Sequence, residues 1–269
     1  MKDYLRQVPL LSDLWRALRL TAQWLLPPRK SVSGLRMVGI NSIQLQENYE
    51  TIVAEFLTSK LDGATRFVNV GANIGYWPLM FRHREFNGEI VLVEPDKLNL
   101  RLLMRNLKLN KTYNVTVKKE AATNYSGFID LYGFGSGTSA IKGWAGGASK
   151  RKSRVPSDYL DSIVEASTIP TIFLIDVEGF ELAVLEGAKL HLKQHCEFLV
   201  EIAISEHQPE GISINTNYEK VFKFMSDHGY DSFGWIPEYT QLVSKEIKLL
   251  MQGRLENKSQ MYHFSKAPS

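Results

Sequence analysis

The chain has 269 residues, 44% of them hydrophobic and 23% charged, enough to bury a large core as one domain or two. A formal charge of +3, with no basic stripe interleaved with aromatics, gives no case for a nucleic-acid partner. The single cysteine, Cys196, excludes an intrachain disulfide framework and a Cys-rich zinc site. Its apolar neighbours mark it as a small buried hydrophobe.

Residues 3–26 carry Leu11, Leu14, Trp15, Leu18, Trp24, Leu25 and Leu26 at near-helical spacing, and Pro27-Pro28 stops the helix. Arg6, Arg16, Arg19, Arg29 and Lys30 make the segment basic. Such a helix suits packing on its own domain, lying on a membrane surface or pairing with another subunit. Residues 1–34 are read as a helical extension and 35–269 as one domain. No run is long and apolar enough to span a bilayer. Asp13, Arg16 and Arg19 interrupt the apolar region that a signal peptide needs, so the cytoplasm is the default location.

Residues 35–40 and 43–45 read as a short antiparallel pair, and 47–60 as a helix closed by Asp62-Gly63. Strands are then expected at 66–70, 89–94, 115–118, 171–176 and 198–202. Helices are expected at 76–84, 97–109, 158–165 and 180–192. This alternation predicts an α/β fold with a parallel sheet covered by helices on both faces. Residues 128–132 form a further strand. The glycine- and serine-rich stretch that follows, residues 133–150, suits either a lid over a cleft or disorder. A helix at 218–228 and strands at 230–236 and 260–264 finish the chain, with a long polar excursion between the two strands.

Ligands of open α/β sheets bind beyond the carboxyl ends of the strands, at the topological switch point. The chain places Glu94, the pair Asp176 and Glu178, and Glu201 at such ends. Gly71 permits a tight turn and close approach of a ligand, and Gly75 lets the next helix pack closely. Glu94 follows at the spacing where a carboxylate clamps two ribose hydroxyls. The run Gly71-Ala72-Asn73-Ile74-Gly75 lacks the middle glycine of a dinucleotide turn. That counts against NAD; S-adenosylmethionine has no phosphates and needs only room at the turn and an acid for its ribose. Asp176 and Glu178 read equally as a general base, a cation site or a helix cap. Glu181 is expected on the helix surface or beside the helix N-terminus.

Val70-Gly71-Ala72-Asn73-Ile74-Gly75-Tyr76, Val93-Glu94-Pro95, Ile175-Asp176-Val177-Glu178-Gly179-Phe180-Glu181 and Val184-Leu185-Glu186-Gly187-Ala188 resemble the FkbM family of S-adenosylmethionine-dependent methyltransferases. The resemblance runs over about residues 45–264. It implies a class I, Rossmann-like methyltransferase fold, with a mostly parallel seven-stranded sheet whose last strand is antiparallel. It implies O-methylation of a sugar or glycan, polyketide or other small molecule. By position it puts Asn69, Gly71, Ala72, Asn73, Gly75, Glu94, Pro95, Glu120, Ala121 and Asp176 around the cofactor. Asp176, Glu178 and His207 fall at the methyl-transfer site, with no metal assigned; a cation bridging these three is the lesser alternative. The chain departs from the family at Asn69, usually Asp, and at Leu174, often Lys. His207 also lies further from the fifth-strand Glu201 than the family's histidine does. The rival readings are an NAD(P)-dependent oxidoreductase and a non-catalytic glycan- or partner-binding module. Trp144, Trp235 and Tyr239 are the aromatics available to stack on a sugar.

Overall fold

The computed structural model describes residues 14, 18, 22, 25–31, 34–39, 50–61, 65–144, 151–205, 207–212, 215–230, 232–235, 240–242, 244–252, 254–256 and 259–266. A two-stranded ribbon, β1 (Arg29–Lys30) and β2 (Arg36–Met37), comes first. The chain turns back between them at Ser31, whose N–H donates to the Leu35 carbonyl at 2.8 Å and whose hydroxyl accepts from the Leu35 N–H at 3.1 Å. Residues 43–45 and Asp62-Gly63 lie outside the described residues, as do Trp24 and Tyr239.

The alternating region follows as α1 (Thr51–Lys60), β3 (Arg66–Val70), α2 (Tyr76–His83), β4 (Glu89–Val93), α3 (Lys97–Leu109) and β5 (Thr116–Lys118). Next come β6 (Ala121–Thr123), β7 (Gly127–Tyr132), β8 (Lys152–Tyr159), α4 (Leu160–Ile163), β9 (Thr171–Ile175), α5 (Glu181–Glu186) and β10 (Cys196–Glu201). The chain closes with α6 (Tyr218–Asp227), β11 (Ser232–Trp235), β12 (Thr240–Gln241), α7 (Ser244–Met251) and β13 (Met261–Ser265).

The main sheet runs β12-β11-β13-β10-β9-β3-β4-β5. Strands β5, β4, β3, β9 and β10 are mutually parallel, and β13 pairs antiparallel with both β10 and β11. The seven expected strands are joined by an eighth, the two-residue edge strand β12. From β3 the chain moves outward through β4 to β5, then returns to β9 on the other side of β3. That reversal makes the carboxyl ends of β3 and β9 the switch point, where an open sheet leaves a crevice.

Every residue of β3 and β9 is buried, because helices cover both faces. The period of two sends alternate side chains to separate cores. Val68, Val70, Phe173, Ile175, Phe198 and Val200 meet α4, α5, α6 and α7. Phe67, Leu92, Ile172, Leu174 and Leu199 meet α1, α2 and α3. The α3 start is fixed by Asp96, whose carboxylate accepts from the N–H groups of Leu98 and Asn99 at 2.9 and 3.1 Å.

A separate three-stranded sheet, β6-β8-β7, flanks the glycine-rich region. β8 is parallel to β6 and antiparallel to β7, and it absorbs the start of the helix expected at 158–165. The polar excursion near the C-terminus contains α7. The helix expected at 180–192 ends at Glu186 and is followed by a 3₁₀ turn at His191–Lys193.

Candidate active site

Three turns meet over the carboxyl ends of β3, β4 and β9. The first follows β3. Gly71 sits at φ 86°, and a Cβ there would lie 1.8 Å from the Asp176 carbonyl, so only glycine lets these two strand ends approach. Gly71 and Ala72 donate their N–H groups to the Val93 carbonyl at 2.9 and 3.1 Å, and Asp176 donates its own to the Val70 carbonyl at 3.0 Å. Gly75 packs against Leu103 of α3.

The second turn follows β4 and carries Glu94, almost wholly buried. Its two oxygens accept from the N–H of Asp96 and the N–H of Asn73, both at 2.8 Å, and from the Asn99 amide at 3.5 Å. Burial pushes this carboxyl up to about 8, against the pull of those donors. The carboxylate is aimed by backbone on both sides.

The third turn follows β9 and holds the acids. Burial raises Asp176 to about 6, and a hydrogen bond with Glu201 opposes the rise. Glu201 is driven well above the usual carboxylate range, first by the Asp176 charge and then by burial. The two carboxyls share a hydrogen bond and titrate as one coupled pair, in which the charge of one raises the other. Glu178, at φ 55°, rises to about 8 through burial and the Asp176 charge. Glu50, in left-handed backbone at the start of α1, adds a fourth carboxyl raised by burial and by Asp176. Glu181 is not on the helix surface: it is 3% exposed, accepts from the Gly179 N–H at 2.8 Å, and burial lifts it to about 7. Among the described residues, no three His, Cys, Asp or Glu side chains are spaced to hold a metal ion.

Between these turns and the small sheet lies a cavity. Of the residues expected at the cofactor, Gly71, Asn73, Glu94, Pro95, Ala121 and Asp176 line it, and Glu178 does so from the expected methyl-transfer set. Ala72 and Gly75 lie behind the wall, with Ala72 in the core under α2 and α3. Glu120 also stands off the wall, its carboxylate accepting from the Lys119 N–H at 2.9 Å. Asn69 is 1% exposed and pairs in register with Leu92 and Leu174, so it shares their core and not the cavity. His207 is exposed and lies beside Trp144, ring centroids 6.3 Å apart, off the described wall of the cavity.

Several wall residues were not expected. Ile129 and Leu131 of β7 with Ala140 and Phe180 form an apolar side, and Asn99, Gly135, Ser136 and Thr138 a polar one. The alternation of Ile129 and Leu131 along a strand was the available signal for the first group. The segment after β7 is folded onto the site. The Ser139 hydroxyl donates to the Glu178 carbonyl and the Trp144 indole N–H to the Glu178 carboxylate, both at 2.6 Å. The Trp144 ring lies on Gly179, where a Cβ would come within 2.4 Å of it. At the other end, Asn99 donates to the Gly135 carbonyl at 3.2 Å, and Arg151 joins the Gly133 carbonyl to the buried Asp96 carboxylate. Residues 145–150, within the expected lid, lie outside those described.

The methyltransferase FkbM domain, as a sequence family, matches residues 69–232, more than half of the chain. The chain belongs to this family. This FkbM methyltransferase uses S-adenosylmethionine as its cofactor, and the oxidoreductase reading is set aside. No curated protein matches its sequence. Among solved structures it is similar to precorrin-6y C5,15-methyltransferase from Geobacter metallireducens GS-15, with 14% identity over 86% of this chain and 95% of that one, TM-score 0.46. It is also similar to an rRNA methylase from Streptococcus thermophilus, 10% identical over 81% and 95%, TM-score 0.42. A ribosomal protein L11 methylase from Lactobacillus delbrueckii subsp. bulgaricus is 10% identical over 82% and 81%, TM-score 0.42.

The cavity of the FkbM methyltransferase fits an adenosine. Its wall leaves Asn73 Oδ1, Asn99 Oδ1 and Thr138 Oγ1 buried without hydrogen-bond partners, three polar atoms that a nucleoside's polar edges can satisfy. Beside them stand the oriented Glu94 carboxyl and an apolar face of Ala121, Ala122, Ile129 and Leu131.

Proposed function

We propose that this methyltransferase transfers a methyl group to a hydroxyl of a small-molecule or glycan acceptor, with Asp176 accepting the hydroxyl proton. The observation that carries this reading is the Asp176–Glu201 pair at the ends of adjacent strands, beside the cavity. A hydroxyl is a weak nucleophile while it keeps its proton, so a base tuned near working pH is what O-methylation needs and what an already nucleophilic amine does not. Asp176, raised to about 6, is ionised at neutral pH and still basic enough to serve.

S-adenosylmethionine supplies an electrophilic methyl when bound. The chain's own residues do the rest. Glu94 holds the ribose hydroxyls; Ala121, Ala122 and Ile129 offer the apolar wall for the adenine. The segment over the cavity excludes water, which would otherwise compete as acceptor and screen the acids. Glu201 keeps its proton and fixes the Asp176 carboxylate; Glu178 is tied to Trp144 and sets the wall. His207, exposed beyond Trp144, has no place in this proton path. The test is a screen of hydroxylated small molecules and glycans with methyl-labelled S-adenosylmethionine. Label in an ether linkage supports the reading; tight cofactor binding with no transfer to any hydroxyl favours the binding-module alternative.

A further inference from the structure

On the outer face of α3, away from the cavity, a groove of about 1840 Å³ is lined by seven basic residues and no acid. Lys97, Arg101, Arg105 and Lys108 recur at intervals of four, four and three along α3, so they form one stripe. Arg36 of β2, Lys111 and Lys119 flank it. Five of the seven lie within residues 97–111, and the fold brings Arg36 and Lys119 beside them. The groove is also apolar in part: Met104 and Tyr113, 51% and 72% exposed, stand among the cations.

A second surface adjoins it. Leu14, Leu18, Ala22 and Leu25 all have helical backbone, and all are exposed. Their spacing of four, four and three puts them on one face as well. Leu14, Leu18, Leu25 and Leu26 are 54–70% exposed, an apolar stripe turned to solvent. This segment is tied to the basic groove, because Arg105 donates to the Leu26 carbonyl at 2.9 Å. Arg29 and Lys30 follow immediately, both exposed.

We propose that these two surfaces together dock the enzyme on an anionic phospholipid bilayer. Exposed leucines beside a dense cationic stripe match the two components of such a surface: acyl chains for the former and headgroup phosphates for the latter. An RNA duplex would use the cations and leave the leucines in water. Each Lys or Arg near an anionic leaflet adds modestly, so the stripe as a whole provides the attraction and the leucines the anchoring. No helix among the described residues is long and apolar enough to cross a membrane, so the contact is peripheral.

The full chain is tested by co-sedimentation with phosphatidylcholine vesicles, with and without about 30% phosphatidylglycerol. The wild type is expected to sediment with the anionic vesicles at least tenfold more strongly than with the neutral ones. Arg101→Glu with Lys108→Glu lowers that binding at least tenfold, and Leu14→Ser with Leu18→Ser does the same. Calorimetric titration of adenosylhomocysteine, unchanged in both double variants, establishes that they fold. Equal sedimentation with both vesicle types, or charge-reversed protein that binds as wild type does, overturns the proposal. So does a wild type that ignores vesicles and either retains an RNA duplex through Arg101 and Lys108 or forms a dimer that the serine variant dissolves.

Discussion

Glu94 and Asp176 are both buried strand-end acids, yet their surroundings give them different work. Glu94 accepts two backbone N–H groups, which orient it toward the cavity without a cation. Removing it deletes hydrogen bonds between the carboxyl and the ribose hydroxyls, each worth about 0.5–1.5 kcal/mol. Glu94→Ala is therefore expected to weaken adenosylmethionine about 10- to 100-fold by calorimetry, with its fold intact by circular dichroism. Asp176 owes its value near 6 to burial, eased by its hydrogen bond with Glu201. Since the ionised form is the base, kcat should climb about tenfold per pH unit below pH 6 and level off above it. A flat profile from pH 5 to pH 8 on a hydroxyl acceptor would show that another group takes the proton. The strand-end acids were legible because an acid after an apolar run is itself a signal. Asn69 was misplaced for an equally local reason: it is one residue before the lining Val70, and period-two counting sends it to the opposite core with Phe67.

At the scale of elements, the parallel sheet was legible from β3, β4, β9 and β10, whose largely apolar runs record burial on both faces. The small sheet was not. β6 is only Ala121–Thr123, and β8 carries Pro156, which ordinarily argues against a strand. Pairing of β8 with β6 begins only at Ser157, so at Pro156 the strand has β7 alone as neighbour and no second ladder to lose. That unread sheet supplies the apolar wall of the cavity, and the segment after it supplies the cover. The cover is held chiefly through Glu178, whose carbonyl and carboxylate bind Ser139 and Trp144. Trp144→Phe keeps the ring on Gly179 and deletes one hydrogen bond, worth about 1.5 kcal/mol to a buried acid. It should speed adenosylhomocysteine release about tenfold in stopped-flow dissociation. An unchanged off-rate would mean that the cover does not control the exit.

For the whole molecule, the acid cluster sets a cost in stability. Glu94 and Glu178, raised to about 8, and Glu181, raised to about 7, bind protons more tightly in the folded chain than in the unfolded one, where they titrate near 4.5. Their protonated forms favour folding, so stability is highest near the unfolded value and falls as pH rises toward the folded ones. The ligand-free enzyme should melt several degrees higher at pH 6 than at pH 8 in differential scanning calorimetry, about 2–4 °C for each kcal/mol. A melting temperature that rises over that interval would contradict the burial of these acids. The same acids that hold cofactor and proton thus oppose folding when charged, a conflict expected where local stability gives way to function.

The central claim is that Asp176 activates a hydroxyl for methylation beside a cofactor held by other residues. Its most direct test is single-turnover transfer of labelled methyl from S-adenosylmethionine by the wild type and by Asp176→Asn, on an acceptor found by the screen. The account predicts an ether-linked label, and a rate in the variant lower by about 100-fold or more with adenosylhomocysteine affinity unchanged. Transfer at an undiminished rate in Asp176→Asn, or label found on nitrogen in the wild type, would contradict it.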